Sequence, residues 1–260
     1  MPSGLGLCQR SVCSPSSPAF LSRSQAVRSL LLGGAVLTQF PVPVAAAERP
    51  PRPLQQAYDS YSDSYDELDD GPIAQLLGLP QLRKQLLRQA HGQVLEVGVG
   101  TGLNLPLYNW AHVQHLTALD LSPGMLSQAQ QRARASSLQP NISFEQGDVT
   151  QLPFPEGSFD CLVDTFSLCV FERPQAALNE MARVLKSGGQ LLLLEHTISS
   201  SPLLSWYQDF TADAVTRTSK GCVWNQRVLG MVRQAGLSVE SAIPAVAGSI
   251  ISLRAVNRAV

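Results

Sequence analysis

Residues 94–104 read Val-Leu-Glu-Val-Gly-Val-Gly-Thr-Gly-Leu-Asn. The stretch begins as a short apolar run, which is typical of a buried strand, and continues with three glycines at every second position, Gly98, Gly100 and Gly102. Glycine has no side chain, so backbone N–H groups in such a loop can contact a ligand directly. A tight turn without a ligand is the alternative, but strict alternation after a strand that carries an acid favours a binding loop.

The spacing of the glycines indicates which ligand the loop does not fit. A dinucleotide-binding loop has the pattern G-x-G-x-x-G, and counting from Gly98 puts its third glycine where this chain has Leu103. The third glycine comes one residue earlier, at Gly102. We therefore expect a ligand without a pyrophosphate, and NAD-dependent oxidoreductases are disfavoured. Glu96, two residues before the first glycine, can meet a cationic amino group of such a ligand, directly or through water.

Strand-like and helix-like segments alternate along most of the chain after residue 78. Such alternation indicates right-handed crossovers and a mostly parallel sheet with helices on both faces, a Rossmann-like α/β fold in a single domain. Ligands of these sheets bind outside the carboxyl ends of the strands. The predicted strands are 93–97, 116–121, 142–146, 159–164, 190–195, 237–242 and 250–256, and the predicted helices are 79–90, 123–136, 174–185 and 224–235.

Two further acids end the second and third predicted strands. Asp120 lies roughly 20 residues after the loop, where a ribose-binding acid is expected in this class of fold; helix capping is the alternative, although Ser122 already suits that role. Asp148 ends the third strand with Val149 beside it, where an adenine amino group needs an acceptor, and a simple turn is its alternative. Acids at three successive strand ends together predict a ligand with an amino group, a ribose and an adenine.

These motifs make the chain similar to the class I S-adenosylmethionine-dependent methyltransferases of the methyltransferase-11 type. The resemblance covers residues 57–258. Within that superfamily the chain resembles the ubiquinone and menaquinone C-methyltransferases and a methyltransferase-like group that contains thiol methyltransferases; Glu195-His196 and Gly221–Asn225 look more like the second group. The matching motifs are Val94–Asn104, Leu119–Leu126, Gly147-Asp148, Leu152–Phe154, Ser158–Asp160 and Val184–Gly189, with Ser187 where the family usually has proline.

The resemblance implies a cofactor, a sheet and a reaction. The cofactor is S-adenosyl-L-methionine, and the sheet has seven strands with the last one antiparallel. The reaction is an in-line methyl transfer, in which the protein mainly aligns the two reactants. Carried over onto this sequence, the motifs assign cofactor binding to Glu96, Gly98, Gly100, Gly102, Asn104, Asp120, Leu121, Met125, Asp148 and Val149.

Fewer residues are candidates for the acceptor side of the site. A base is needed only if the acceptor must lose a proton. The predicted catalytic residues are His196, just past the fifth strand, and Asp164, at the end of the fourth; a structural hydrogen bond and a turn cap are their alternatives. Aromatic side chains are usually core, but an apolar acceptor pocket can be built from Tyr58, Tyr65, Phe166, Trp206 and Trp224.

The cysteines and histidines show no metal-binding spacing. Cys161, Cys169 and Cys222 lie in apolar surroundings, and the sequence has neither a disulfide framework nor a CxxC pattern. We therefore expect small buried thiols and no metal site.

The leading hypothesis is methyl transfer to a small apolar acceptor, quinol-, thiol- or lipid-like, in an organelle. A net charge of -1 and the lack of a long basic run argue against nucleic-acid binding, and peripheral membrane association is compatible with such an acceptor. The alternative is a cofactor-binding methyltransferase fold that serves as a non-catalytic assembly or interaction factor. Consumption of the cofactor separates the two.

The start of the chain has a composition of its own. Residues 1–47 contain no Asp, Glu or Lys but many serines and three arginines, which is typical of an organelle transit peptide. We predict a targeting leader over 1–47, a Pro-rich linker over 48–56 and the methyltransferase domain over 57–260. The expected location is the chloroplast, in the stroma or associated with thylakoids, with the mitochondrion as the alternative. A membrane anchor over 30–47 is disfavoured because polar residues and prolines interrupt the apolar run.

Overall fold

The computed structural model describes residues 53–61, 71–136 and 141–258, which belong to one compact unit, Arg49–Val260. The leader predicted over 1–47 and the predicted acceptor residue Tyr65 lie outside the described residues, so both stay predictions. Within the described ranges, no helix is long and apolar enough to cross a lipid bilayer.

The strands build one seven-stranded sheet. They are β1 (Gly92–Val97), β2 (Val113–Asp120), β3 (Ile142–Gln146), β4 (Phe159–Thr165), β5 (Leu185–His196), β6 (Leu237–Ala245) and β7 (Ile250–Asn257). Their order across the sheet is β3-β2-β1-β4-β5-β7-β6. Strands β1 to β5 pair in parallel, whereas β7 runs antiparallel to both β5 and β6. This arrangement confirms the predicted fold class and the antiparallel last strand.

Helices connect the strands. They are α1 (Pro53–Tyr61), α2 (Pro72–Leu76), α3 (Leu79–Leu87), α4 (Pro123–Ala135), α5 (Pro174–Val184), α6 (Pro202–Thr218) and α7 (Val228–Gln234). Proline begins five of these helices, as expected from its fixed φ and its missing N–H, which the first turn does not need. At the start of α4, the Ser122 hydroxyl accepts a hydrogen bond from the backbone N–H of Met125 at 3.1 Å, which confirms the predicted cap.

Several boundaries differ from the sequence-based expectation: β2 begins at Val113 and β5 at Leu185, both earlier than predicted, and three helical segments differ as well. Helix α1 begins at Pro53, inside the segment predicted as a linker. Helix α6 was not predicted at all, because Gln208 is its one buried residue and its apolar side chains give no core-facing stripe. The helix expected over 224–235 begins only at Val228.

The core lies on both faces of the central strands. Leu162 of β4 packs in a cluster with Leu178 of α5 and Val232 of α7. Its neighbour Val163 points to the opposite face and packs with Leu86 of α3, as the two-residue period of a strand requires. Parallel strands buried on both faces read as continuous apolar runs, which is why β4 and β5 were predictable.

The strand order creates the site. The chain passes from β3, at one edge, to β4 on the other side of β1, so the connections from β1 and β4 leave the sheet in opposite directions. A crevice forms outside the carboxyl ends of strands at such a reversal. The glycine loop follows β1, and the segment that begins with Phe166 follows β4, so both border this crevice.

Candidate cofactor and acceptor site

A cleft lies at this edge of the sheet and encloses about 850 Å³, including its part open to solvent. The lining comes from four strand ends and from α1: Gln55, Tyr58, Gly98, Gly100, Leu119, Asp120, Leu121, Ser122, Met125, Gly147, Asp148, Val149, Thr150, Phe166, Ser167, Val170, Phe171, Glu172 and Arg173.

The three glycines of the loop have different roles. All have positive φ, at 61° for Gly98, 56° for Gly100 and 80° for Gly102. A Cβ on Gly98 would lie 2.5 Å from Cβ of Ser167, so this glycine lets the ends of β1 and β4 approach. A Cβ on Gly100 would meet nothing nearer than 4.0 Å, and this residue lines the cleft. Gly100 is therefore the position at which the backbone is open to a ligand.

Gly102 is not among the residues that line the cleft, so its assignment to cofactor binding stays a prediction. A Cβ there would lie 2.8 Å from Cδ1 of Leu105 and 3.1 Å from Cα of Ala129 in α4. The third glycine thus serves the close packing of the loop against α4, and it supports the ligand loop from behind.

Asp120 links the glycine loop to the next strand end. Its Oδ2 accepts a hydrogen bond from the backbone N–H of Gly100 at 2.8 Å, and its Oδ1 accepts one from Ser122 at 2.9 Å. Removal from bulk water raises the pKa of Asp120 to about 6, although these backbone hydrogen bonds oppose the rise. A carboxylate oxygen accepts more than one hydrogen bond, so Asp120 can hold the loop and still accept from two ribose hydroxyls.

The third strand end forms the far wall of the cleft. Oδ1 of Asp148 accepts hydrogen bonds from the backbone N–H and the hydroxyl of Thr150, both at 2.9 Å, so the turn-forming role named as its alternative is present. Asp148 also lines the cleft between the apolar side chains of Leu121, Met125 and Val149. The structure thus brings these four predicted cofactor residues together around an apolar slot of the kind that suits a purine.

Glu96 and Asn104 are not among the residues that line the cleft, so their contact with the cofactor stays a prediction. Oε1 of Glu96 accepts a hydrogen bond from Nδ2 of Asn104 at 2.7 Å, and Oε2 accepts one from the Tyr108 hydroxyl at 2.8 Å. Asn104 in turn accepts from Nη1 of the buried Arg83 at 3.1 Å. This polar network beneath the glycine loop fixes the end of β1, and its long-range partners gave no signal in the sequence.

We expect the free energy of unfolding of the wild-type chain to fall between mildly acidic and neutral pH, and we expect Glu96→Gln to reduce that fall. Burial raises the pKa of Glu96 from 4.5 to about 7, against the hydrogen bonds from Tyr108 and Asn104. The folded chain therefore binds this proton more tightly than the unfolded chain, and the free energy of unfolding falls as pH rises from about 4.5 to about 7. The wild-type chain should lose on the order of 2 kcal/mol through this group, and the glutamine variant should not.

Urea unfolding at several pH values between 5 and 8 measures this difference. Glu145→Gln is the matched control, since Glu145 is an exposed carboxylate in β3, and it should follow the wild-type curve. Parallel curves for wild type and Glu96→Gln would contradict a buried, protonated Glu96.

Helix α1 forms part of the cleft wall. Gln55 and Tyr58 line the cleft. The Tyr58 hydroxyl donates to the carbonyl of Lys220 at 3.0 Å. The Asp59 carboxylate accepts from the Ser122 hydroxyl and from the backbone N–H of Gly124, at the start of α4. Tyr58 is thus at the site as predicted, whereas Gln55 was missed because its segment was assigned to the linker.

Asp164 is enclosed by the protein. Its side chain is fully buried, and Oδ1 accepts hydrogen bonds from the backbone N–H of Ser167 at 3.3 Å and from the Ser167 hydroxyl. This burial favours the alternative of a turn cap, and the catalytic role stays a prediction. The carboxylate shapes the turn that carries Phe166 into the cleft.

His196 lies behind the cleft rather than in its wall. Its ring packs against Phe166 with centroids 5.1 Å apart, and its Nδ1 is 3.5 Å from Sγ of Cys222. Phe166 itself lines the cleft with a positive φ of 57°, a backbone conformation that is rare outside glycine and concentrates at functional sites. Phe166 therefore separates His196 from the cleft.

The two tryptophans predicted at the acceptor pocket lie outside the cleft lining. Trp206 is 62% exposed and stacks on Phe210 of the same helix, α6. Trp224 packs edge-on against Tyr207, with ring centroids 6.0 Å apart. Both belong to the side of the molecule built by α6 and the segment after it.

The sequence missed most of the segment that follows β4. Ser167, Val170, Phe171, Glu172 and Arg173 all line the cleft, and Nη2 of Arg173 donates to the Thr150 hydroxyl at 2.8 Å, which joins this segment to the third strand end. The signal that could have found them is topological: residues after the strand beyond a reversal of strand order border the ligand crevice.

Residues 95–193 match the family described as a methyltransferase domain. A phosphatidylethanolamine N-methyltransferase of Cereibacter sphaeroides is 37% identical over 139 residues, 48% of this chain and 68% of that enzyme. A ubiquinone/menaquinone biosynthesis C-methyltransferase of Roseobacter denitrificans is 32% identical over 157 residues, 58% of this chain and 62% of that enzyme. About a third of each relative thus has no counterpart in the matched region.

A solved structure shares the fold. The geranyl diphosphate C-methyltransferase from Streptomyces coelicolor superimposes with a TM-score of 0.62 at 14% identity, over 80% of this chain and 100% of that one. The sheet order, the cleft at its carboxyl edge and the relative that is 37% identical agree. The chain belongs to the class I S-adenosylmethionine-dependent methyltransferases.

Proposed function

We propose that this enzyme methylates an amphipathic acceptor, quinol-, thiol- or lipid-like, that reaches the site from a membrane surface. The observation that carries the proposal is the outward face of α6. Four large side chains of this helix are exposed to solvent: Leu203 by 77%, Trp206 by 62%, Tyr207 by 50% and Phe210 by 75%. Exposed apolar patches of this kind mark interaction sites, and Trp and Tyr favour the boundary between lipid and water.

The inner side of α6 is attached to the segment that follows β5. Gln208 is fully buried. Its Oε1 accepts from the backbone N–H of Ser199 at 2.7 Å, and its Nε2 donates to the carbonyls of Thr197 and Trp224, both at 3.0 Å. Thr197 and Ser199 directly follow β5. The apolar face of α6 is thus held next to the strand end at which a methyl acceptor is expected.

The names of the two relatives support this substrate class. One is a phosphatidylethanolamine N-methyltransferase and the other a ubiquinone/menaquinone biosynthesis C-methyltransferase, and both names refer to lipid-soluble acceptors. Helix α6 carries the acidic residues Asp209 and Asp213 as well as Arg217. A zwitterionic lipid surface therefore suits this helix better than a strongly anionic one.

The chain's own residues align the reactants rather than activate them. S-adenosylmethionine supplies a methyl group that is already activated on a sulfonium. The open backbone at Gly100 and the carboxylate of Asp120 would hold the cofactor, and Leu121, Met125 and Val149, which line the cleft, would enclose its base. Phe166 closes the side towards β5 and excludes water from the transfer, which is a positioning effect rather than acid–base catalysis.

Acceptor turnover on vesicles tests the proposal. The purified full chain is given labelled S-adenosylmethionine with quinols, alkyl thiols and phosphatidylethanolamine, each in zwitterionic vesicles and in detergent. We expect turnover with a vesicle-borne acceptor, and the double variant Trp206→Ser, Phe210→Ser should lose vesicle binding and vesicle turnover at least ~10-fold. Its affinity for S-adenosylhomocysteine should not change.

The matched control is Ile243→Ser, which removes a side chain on β6 that is 60% exposed. It should leave vesicle turnover at the wild-type level. Turnover of a freely soluble acceptor that is faster than any vesicle-borne one, and that is indifferent to the α6 variants, would contradict a membrane-delivered acceptor.

We also propose that residues 1–47 direct the enzyme to the chloroplast. The support is compositional: an acid-free, serine- and arginine-bearing start followed by an apolar run and three alanines. A fluorescent protein fused behind residues 1–60 should enter chloroplasts in plant or algal cells. Entry into mitochondria alone would favour the other organelle.

A further inference from the structure

Three potential metal ligands, far apart in sequence, converge behind Phe166. Sγ of Cys169, Sγ of Cys222 and a ring nitrogen of His196 all lie within 4.8 Å of one another. Cys169 belongs to the short turn after β4, His196 ends β5, and Cys222 follows α6. All three cysteines are buried and free, as expected, but Cys169 and Cys222 lie together beside a histidine, whereas Cys161 lies outside this cluster.

The spacing fits a tetrahedral zinc ion. With Zn–S of about 2.3 Å and Zn–N of about 2.0 Å, tetrahedral angles put a sulfur and a nitrogen ligand about 3.5 Å apart and two sulfurs about 3.8 Å apart. Sγ of Cys222 is 3.5 Å from Nδ1 of His196. This distance matches the expected separation of a sulfur and a nitrogen ligand, and the other ligand atoms lie within 4.8 Å of one another.

The ligand-bearing segments are fastened to one another, so the cluster is preformed. The backbone N–H of Val223 donates to the carbonyl of Cys169 at 2.8 Å. The buried Glu195 carboxylate accepts from the backbone N–H of Leu168 at 2.8 Å and from that of His196 at 3.1 Å. Carboxylates that orient metal ligands through hydrogen bonds are frequent around bound metals, and Glu195 orients the segments that carry Cys169 and His196.

We propose that Cys169, His196 and Cys222 bind one zinc ion, with water as the fourth ligand. Two thiols and a neutral imidazole are a ligand set that selects zinc over magnesium or calcium. Binding converts both thiols to thiolates and releases two protons, and the two thiolate charges balance the charge of the ion. The ion would tie the segments after β4, β5 and α6 together beside Phe166, on the acceptor side of the cleft.

Metal content and a cobalt spectrum test the site in the full chain. Cys8 and Cys13 lie outside the described residues, so all proteins carry Cys8→Ser and Cys13→Ser. The protein is purified under reducing conditions, stripped with a chelator and titrated with zinc or cobalt(II). We expect one zinc per chain, release of two protons per zinc, and a cobalt spectrum with thiolate charge-transfer bands and tetrahedral ligand-field bands.

Single-ligand variants locate the ion. Cys169→Ser, Cys222→Ser and His196→Ala should each weaken zinc binding at least ~100-fold, since ligand loss exceeds the 10–100-fold typical of losing an outer contact. Cys161→Ser is the matched control: Cys161 is a fully buried thiol in β4 outside the cluster, and its variant should retain one zinc. The proton count and cobalt bands of the unsubstituted cluster need no variant, so a variant that fails to fold leaves the test intact.

Two results would overturn the proposal. One is the absence of thiolate–cobalt bands and of stoichiometric zinc in the reduced, folded protein, including the case in which Cys169 and Cys222 form a persistent disulfide instead. The other is zinc binding that survives in all three ligand variants. Neither result depends on methyl transfer, so the metal site and the proposed acceptor are tested separately.

Discussion

Gly100→Ala is expected to weaken the binding of S-adenosylhomocysteine at least ~100-fold while the chain still folds. Gly100 has a φ of 56°, and a Cβ there would meet no atom of the protein nearer than 4.0 Å. The residue lines the cleft, so the added methyl would occupy space that the ligand needs against the backbone. Calorimetric titration with S-adenosylhomocysteine measures the loss, and circular dichroism checks the fold.

Gly236→Ala separates ligand exclusion from backbone strain. Gly236 follows α7, has a φ of 84°, and a Cβ there would also have nothing within 4 Å. Both variants therefore carry a similar penalty for a left-handed alanine, about 1–2 kcal/mol of stability, but Gly236 does not line the cleft. Gly236→Ala should therefore bind S-adenosylhomocysteine with wild-type affinity. Wild-type affinity in Gly100→Ala would show that the glycine loop is not part of the cofactor site.

Asp120→Asn is expected to weaken S-adenosylhomocysteine binding about 100-fold, or ~3 kcal/mol, through the loss of charge-assisted hydrogen bonds to the ribose. Asparagine keeps the size of the side chain but offers one acceptor oxygen in place of two. In the wild-type chain, one of those oxygens also holds the backbone N–H of Gly100 at 2.8 Å. The variant therefore affects both the ribose contact and the loop beside it.

The pH dependence of binding gives a second signature of Asp120. Its pKa is raised to about 6, and a proton competes with the ribose hydroxyls for the carboxylate. Wild-type affinity should thus fall about 10-fold between pH 7 and pH 5, whereas the affinity of Asp120→Asn should lack this component. Asp160→Asn is the control: Asp160 binds Lys186 and the backbone of Gln93 at the opposite end of β4, outside the cleft lining. Wild-type affinity in Asp120→Asn would contradict the ribose role.

Local patterns made the cofactor half of the site predictable. The loop at Gly98 and Gly100, the acid at Asp120 and the cap at Ser122 each depend on a few neighbouring residues, and the structure has them together at one edge of the sheet. The sequence placed Glu96 on the right strand but did not show its partners within the protein, because Tyr108 and Asn104 reach its carboxylate only once the loop is folded.

The acceptor half depends on contacts between distant parts of the chain, and the sequence could not supply them. Helix α6 buries Gln208 rather than an apolar stripe, so periodicity gave no signal for it. Cys169, His196 and Cys222 are separated by 27 and 26 residues, far more than the short spacings typical of zinc motifs. Only the sheet order brings their segments to one place.

Because α1 forms part of the cleft wall, the sheet and the cleft require segments of different length. Every strand of the sheet lies between Gly92 and Asn257, yet Gln55 and Tyr58 supply part of the cleft wall, and Asp59 ties their helix to the start of α4. A chain trimmed to begin at α3 would keep the whole sheet and leave one side of the cleft open to water. The segment that contains every strand of the sheet is therefore shorter than the segment that walls the cleft.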